Sequence, residues 1–356
     1  MLAVRAAPTT SAATADSYPA DLVPGETGCP ICATRLGPLG CNPEYPGCQQ
    51  RTTLYDSKGQ LTHLCGPVWR NNSCPFDGIL APLQLIRLNL SDAAGQACDQ
   101  RYPAFVPLML QVSKGEINSY EYKRGLETAV GQELWREGGH QYYKLLRVHQ
   151  FDSTKVAWRV LDSARCSGQP DPFDLADDPF TCIRYTRKDK CRTCDYSKTE
   201  HMRNLSVVMD LERFLANPDE ETMTRLWCEG FLFCPSCQIQ LESTVEEFVF
   251  PMLLRLDFGW GGFPSKKYQT LPHELQLRDV KYHLAGVTYG NESHFTSIAR
   301  STAGDQSLFS QDGLKNHGIF VRTTHSAFPV VQERSARANE TYYVREDALK
   351  HKFLRK

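Results

Sequence analysis

The sequence predicts an α+β protein. Residues 73–90 place Ile79, Leu80, Leu83, Ile86 and Leu90 on one helical stripe. From residue 246 onward the texture changes to short alternating segments with turn residues between them. Helical segments that precede a run of strands give an α+β layout, here closed by an antiparallel sheet. Between the two halves stand two Cys-x-x-Cys pairs, "CRTC" (191–194) and "CPSC" (234–237).

The chain opens on an Ala/Thr/Ser/Pro-rich stretch, residues 1–27, which reads as a disordered leader because it has no apolar run of signal-peptide length. A Cys-rich segment follows over 28–65. Within it "TTLYDS" and "LTHLC" read as a hairpin around Lys58-Gly59. Ser73 caps the helix and Pro75 falls in its first turn, where a missing N–H costs nothing. Pro82 lies mid-stripe and predicts a bend between two helical segments. Residues 98–165 mix signals: "TAVGQELWREGG" ends a helix on a Gly pair, while "QYYKLLRVHQF" and "TKVAWRVLD" read as strands. "EEFVFPMLLRLDFGWGG", "KYHLAGVTYG", "NESHFTSIARS", "SLFSQDG" and "GIFVRTT" supply the sheet, with a Gly-Asn turn between the second and third. Residues 331–356 read as a C-terminal tail.

Composition narrows the function. The 356 residues are 41% hydrophobic and 23% charged, enough for a core, and the net charge of -1 lacks the basic excess of a nucleic-acid binder. No run approaches the roughly 18 apolar residues of a membrane span. These features predict a cytoplasmic or nuclear protein whose 14 cysteines are metal ligands or catalysts before they are disulfides. Sequons at Asn71, Asn89, Asn204, Asn291 and Asn339 point the other way, to a secreted, disulfide-bonded protein.

Cys191, Cys194, Cys234 and Cys237 form the strongest metal signal. Two Cys-x-x-Cys knuckles complete the tetrahedral all-thiolate shell of structural zinc, with no open position for chemistry. Cys182, His201 and Cys228 are nearby substitutes for one ligand. A weaker second set is Cys29, Cys32, Cys41 and Cys48, with Cys65 as an alternative fourth ligand.

Cys74 stands apart from every pair. At a helix N-terminus the dipole lowers a thiol's pKa, as a nucleophile requires; most lone cysteines are instead small buried hydrophobes. Among the 10 histidines, His294 begins a strand just after a tight turn. Asp312 follows at the end of the next strand, where its carboxylate can accept the Nδ1 proton and fix the ring.

Taken together, "NNSCPFDGILAPL", the two Cys-x-x-Cys pairs, "YHLAGVTYGNESHFTSIAR" and Asp312 resemble, in order, the Cys box, zinc-bearing fingers, His box and final acid of the ubiquitin-specific proteases. The resemblance implies a papain-like fold over 66–330, with a helical thumb, an antiparallel β palm and zinc-clipped fingers at about 180–245. It also implies thiol-dependent cleavage after the C-terminus of ubiquitin or a ubiquitin-like modifier, with Cys74, His294 and Asp312 as the catalytic set. The "FGWGGFPSKKY" loop (258–268) would line the cleft that takes the modifier's tail. The chain departs from the family's pattern at Trp69, which replaces the oxyanion asparagine and leaves that role to Asn71, Asn72 or the backbone, and at Pro75 and Ser293. These departures favour the alternative, a zinc-stabilised ubiquitin-binding or protein-interaction module without turnover.

Overall fold

The computed structural model describes residues 54–55, 61–67, 74–130, 158, 178–227, 233–258, 264–265, 267–291, 294–301, 307–312, 318–332 and 336–350. Two compact units divide the chain, residues 1–50 and 51–356, and every described residue belongs to the second. The expected leader, the Cys29/Cys32/Cys41/Cys48 set, Asn71 and Asn72, Cys228 and most of the 258–268 loop lie outside the described residues.

Four described helices fall between residues 74 and 130: α1 (Cys74–Asn89), α2 (Asp92–Arg101), α3 (Val106–Lys114) and α4 (Ser119–Val130). The apolar stripe read from the sequence is the buried face of α1. Ile79, Leu80, Leu83, Ile86 and Leu90 all sit in one core cluster with Met109 and Val112 of α3 and Tyr122 and Leu126 of α4. Gly115 ends α3 at φ 76°, the left-handed conformation that glycine adopts without penalty. Trp158, the one described residue of "TKVAWRVLD", is helical where a strand was expected.

The strands are β1 (Leu54–Tyr55), β2 (Leu61–His63), β3 (Ile183–Lys190), β4 (Ser197–Asn204), β5 (Val207–Val208), β6 (Glu242–Val249), β7 (Leu253–Asp257), β8 (Glu274–Leu277), β9 (Val280–Gly290), β10 (Phe295–Arg300), β11 (Leu308–Gln311), β12 (Phe320–Arg322) and β13 (Arg337–Arg345). Two short helices, α5 (Leu211–Ala216) and α6 (Pro218–Trp227), lie between β5 and β6. Strands β1 and β2 pair antiparallel, as the hairpin reading requires. Strand β3 lies between β4 and β6 in a separate three-stranded antiparallel sheet. The main sheet runs β12-β11-β10-β9-β13-β7-β5, with β8 paired to β9. It is antiparallel except at the β5–β7 edge, which is parallel.

One face of this sheet carries the helices, through Leu253, Ala285, Tyr342 and Val344. The other buries Leu254, Leu256, Leu284 and Tyr343 with Phe214 and Leu215 of α5. The architecture is therefore mixed α+β.

Two sequence expectations are corrected. Residues 337–345, assigned to a tail, form β13, which pairs with β9 on one side and β7 on the other. Its polar residues hid it: Asn339, Glu340 and Thr341 are buried, and Glu340 accepts from Trp158 and Arg255 at 2.8 and 3.1 Å. Second, Pro82 does not break α1, which is continuous over 16 residues. A proline at 82 removes the N–H that would bond the carbonyl of Gly78, four residues earlier. The Thr288 hydroxyl supplies the missing donor, 2.7 Å from Gly78 O.

The sheet is shaped to receive that helix. A register shift between Tyr342 and Tyr343 in the β9–β13 pairing lets Gly286 follow Ala285 onto the helix side. A Cβ at Gly286 would stand 2.9 Å from Pro82 Cβ, so only glycine admits this approach. Asp77 in the first turn of α1 forms a buried ion pair with Lys123 of α4.

The sequons at Asn89 and Asn339 are 3% and 0% exposed, so neither has room for a glycan. Seven described cysteines carry free thiols. Among the described residues no helix is long and apolar enough to cross a membrane.

Candidate active site

His294 sits in the connection between β9 and β10, the two strands whose pairing ends at Gly290 and Phe295. The turn is closed from both sides. The Asn291 N–H donates to the His294 carbonyl at 3.1 Å, and the His294 N–H donates to Asn291 Oδ1 at 2.9 Å. This reciprocal pair fixes the backbone of the histidine before its ring enters the argument.

Asp312 follows β11 directly, and β10 pairs β11 with Ser297 opposite Gln311. That register brings the carboxylate to the ring: His294 Nε2 lies 2.8 Å from Asp312 Oδ1. Side-chain exposures of 15% and 11% leave both groups mostly out of water, where a charge-assisted bond is strong. The sequence reading assigned the Asp312 contact to Nδ1. It is made by Nε2.

Cys74 is the first residue of α1. Two anchors bracket it. Before it, Pro67 O accepts from Gln311 Nε2 at 2.6 Å, and Gln311 is the neighbour of Asp312. After it, Gly78, one turn into the helix, bonds Thr288 through its carbonyl; a Cβ on Gly78 would lie 3.5 Å from Phe295 Cβ, the residue that follows His294. The start of α1 and the His294–Asp312 pair thus occupy the same end of the main sheet. Gln311, Thr288 and Asn291 escaped the sequence reading, since each acts on a partner distant in the chain or on a backbone atom.

The four central cysteines converge at the tip of the three-stranded sheet. Cys191 Sγ lies 3.3 Å from Cys237 Sγ, and Cys194 Sγ lies 3.5 and 3.8 Å from those of Cys234 and Cys237. All four ligand atoms fall within 4.8 Å of one another. A zinc ion about 2.3 Å from four sulfurs implies tetrahedral edges of about 3.8 Å, so the donor set fits that ion. The backbone fits too, because N–H groups of Thr193, Tyr196, Ser236 and Ile239 are directed at the four sulfurs in turn. The Thr193 N–H holds the Cys191 thiol down to about 6, while its thiol neighbours push Cys237 up to about 12. Four sulfurs at this range cannot all ionise unless a cation stands among them. Cys182 and His201 are not part of the group. Cys182 precedes β3 at the end opposite Cys191, and His201 pairs with Thr186 midway along that strand.

No protein-family model matches the chain, and no curated protein matches it. Solved structures do resemble it. One is the SAGA deubiquitinating module of Ubp8, carrying a cysteine-to-alanine substitution, with Sgf11, Sus1 and Sgf73 bound to monoubiquitin; identity is 11%, 80% of this chain and 70% of that chain are covered, and the TM-score is 0.47. A second is the Ubp8–Sgf11–Sgf73–Sus1 module, at 14% identity, 80% and 68% coverage and TM-score 0.49. A third is the yeast SAGA module with a substituted Sgf73, at 12% identity, 82% and 72% coverage and TM-score 0.46. What the site can do follows from its own side chains.

Proposed function

We propose that the chain is a thiol-dependent hydrolase that cleaves peptide or isopeptide bonds after the C-terminus of ubiquitin or a ubiquitin-like modifier. The observation that carries this reading is the His294–Asp312 pair at the end of the sheet where α1 begins with Cys74. With Nε2 bonded to Asp312, proton exchange with a thiol falls to Nδ1. His294 takes the Cys74 proton at Nδ1, and the thiolate attacks the carbonyl carbon of the scissile bond. The oxyanion is met by the N–H groups at the start of α1, with Asn71 or Asn72 as side-chain donors. His294 then returns the proton to the leaving amine. Water, deprotonated by the same ring, hydrolyses the thioester and frees the modifier's carboxylate. Asp312 holds the ring in place and stabilises its cationic form.

Cys191, Cys194, Cys234 and Cys237 would hold a structural zinc ion. It supplies no chemistry to the cleavage, because all-thiolate ligation leaves no position for a substrate. Its contribution is to staple the turn after β3 to the turn before β6, giving a firm projection on which a modifier can rest.

A ubiquitin probe with an electrophilic C-terminus tests the reading. Covalent labelling that disappears in Cys74→Ala supports it. Binding of ubiquitin without labelling, for this and related modifier probes, would overturn it and leave the non-catalytic binding module.

A further inference from the structure

A second group of ligand-type side chains lies on the β8–β9 pair. Glu274 and His283 are direct cross-strand partners, and His273 precedes Glu274. The chain is held there by the main sheet, since the Leu284 N–H donates to the His273 carbonyl at 2.8 Å. The Tyr343 hydroxyl donates to Pro272 O at 2.7 Å.

The side chains are arranged in two tiers. Glu274 Oε1 faces both rings, 3.5 Å from His283 Nδ1 and 3.9 Å from His273 Nδ1. One ligand atom from each of the three residues falls within 4.8 Å of the others. Behind them, His283 Nε2 is bonded to Glu346 Oε2 at 2.8 Å, and Lys281 Nζ holds the other Glu274 oxygen at 3.0 Å. With Nε2 bonded to Glu346, Nδ1 is the ring nitrogen that faces Glu274. A carboxylate oxygen and an imidazole lone pair repel at that distance unless a proton or a metal cation lies between them. A carboxylate that fixes the outer nitrogen of a ligating histidine is the usual support of a protein metal site.

We propose that His273, Glu274 and His283 bind a divalent transition-metal ion, with zinc the best match to two imidazoles and one carboxylate. Metal–ligand bonds of about 2.1 Å bring ligand atoms to roughly 3.0–3.4 Å. The observed separations need only a small closing rotation of the exposed His273 and Glu274 side chains. Three protein ligands leave a fourth position open to water. Lys281 stands beside the carboxylate as the cation that the metal displaces or tolerates. The site is independent of the four-cysteine group and of the proposed hydrolase activity.

The test is metal uptake by the intact chain. After equilibrium dialysis against micromolar zinc, the wild type retains one equivalent more than His283→Ala, and Glu274→Gln weakens that equivalent at least tenfold. Cys194→Ser keeps it. In cobalt-loaded protein it contributes weak visible bands without the near-ultraviolet sulfur-to-cobalt charge transfer of a thiolate site. Equal uptake by the wild type and His283→Ala, with both folded by circular dichroism, overturns the proposal and leaves a proton in the place of the metal. Loss of the same equivalent in His325→Ala, an exposed histidine elsewhere, overturns it as well.

Discussion

Replacing Thr288 by valine probes how the sheet sustains a proline in the middle of α1. Valine keeps the volume and branching but removes the hydroxyl that donates to Gly78 O at 2.7 Å. Gly78 lies in the buried run 76–86 and Thr288 is 0% exposed, so water cannot replace the bond. An orphaned buried carbonyl costs about 1–3 kcal/mol. The Tyr342 hydroxyl, 2.9 Å from Thr288 Oγ1, retains Glu340 at 2.9 Å and adds little to the loss. Pro82→Ala restores the helical N–H to the same carbonyl while keeping the Cβ that lies over Gly286. In that background Thr288→Val loses most of its effect. Urea unfolding of the four proteins of the cycle therefore gives a coupling energy of about 1–2 kcal/mol. If Thr288→Val costs the same in both backgrounds, within about 0.3 kcal/mol, the hydroxyl is not the proline's substitute donor and the account of α1 fails.

Four further outcomes are expected. His294→Ala lowers kcat/KM for a fluorogenic ubiquitin C-terminal amide by about 100-fold or more, and Asp312→Ala lowers it less; equal activity of the wild type and His294→Ala refutes the general-base assignment. Lys123→Met leaves Asp77 charged, buried and without its ammonium and costs about 3–5 kcal/mol in urea unfolding, while Asp77→Asn in the same chain recovers part of the loss. Chelation of the four-cysteine site lowers hydrogen-exchange protection in β3, β4 and β6 and spares β9 and β13; unchanged protection in the three-stranded sheet refutes the staple. Burial raises the Glu340 carboxyl above its ordinary range, with Arg255 opposing. The stability this group contributes is thus complete at low pH and declines as pH rises through its folded value, so Glu340→Gln gains stability relative to the wild type as pH rises through that range; a relative loss over the same range contradicts this sign.

Much of the site was legible because its signals are local. A stripe at helical spacing, a Gly-Asn turn before a histidine, and paired Cys-x-x-Cys each express geometry within a few residues. What escaped depends on distant partners. The interruption predicted at Pro82 follows from helix chemistry alone, and a threonine more than 200 positions away in sequence supplies the donor that the proline lacks. Strand β13 reads as a polar tail because Arg337, Asn339, Glu340 and Thr341 suggest solvent, and only the assembled sheet shows their partners. Likewise, the sequence brings Asp312 to the His294 ring but names Nδ1, and the structure has the contact on Nε2.

The place of β13 also has a consequence for how the protein comes into being. Strand β13, which joins β9 to β7, is made after every other described strand. Until it arrives, β9 and β7 each present an open edge, the kind of surface that recruits other chains. At synthesis rates of about 5–20 residues per second, the helix bearing Cys74 waits tens of seconds for the platform that orders it. A premature stop between residues 323 and 336 would therefore not trim the molecule. It would leave two parts of the sheet with no seam between them, a species marked for chaperones or degradation rather than a shortened protein.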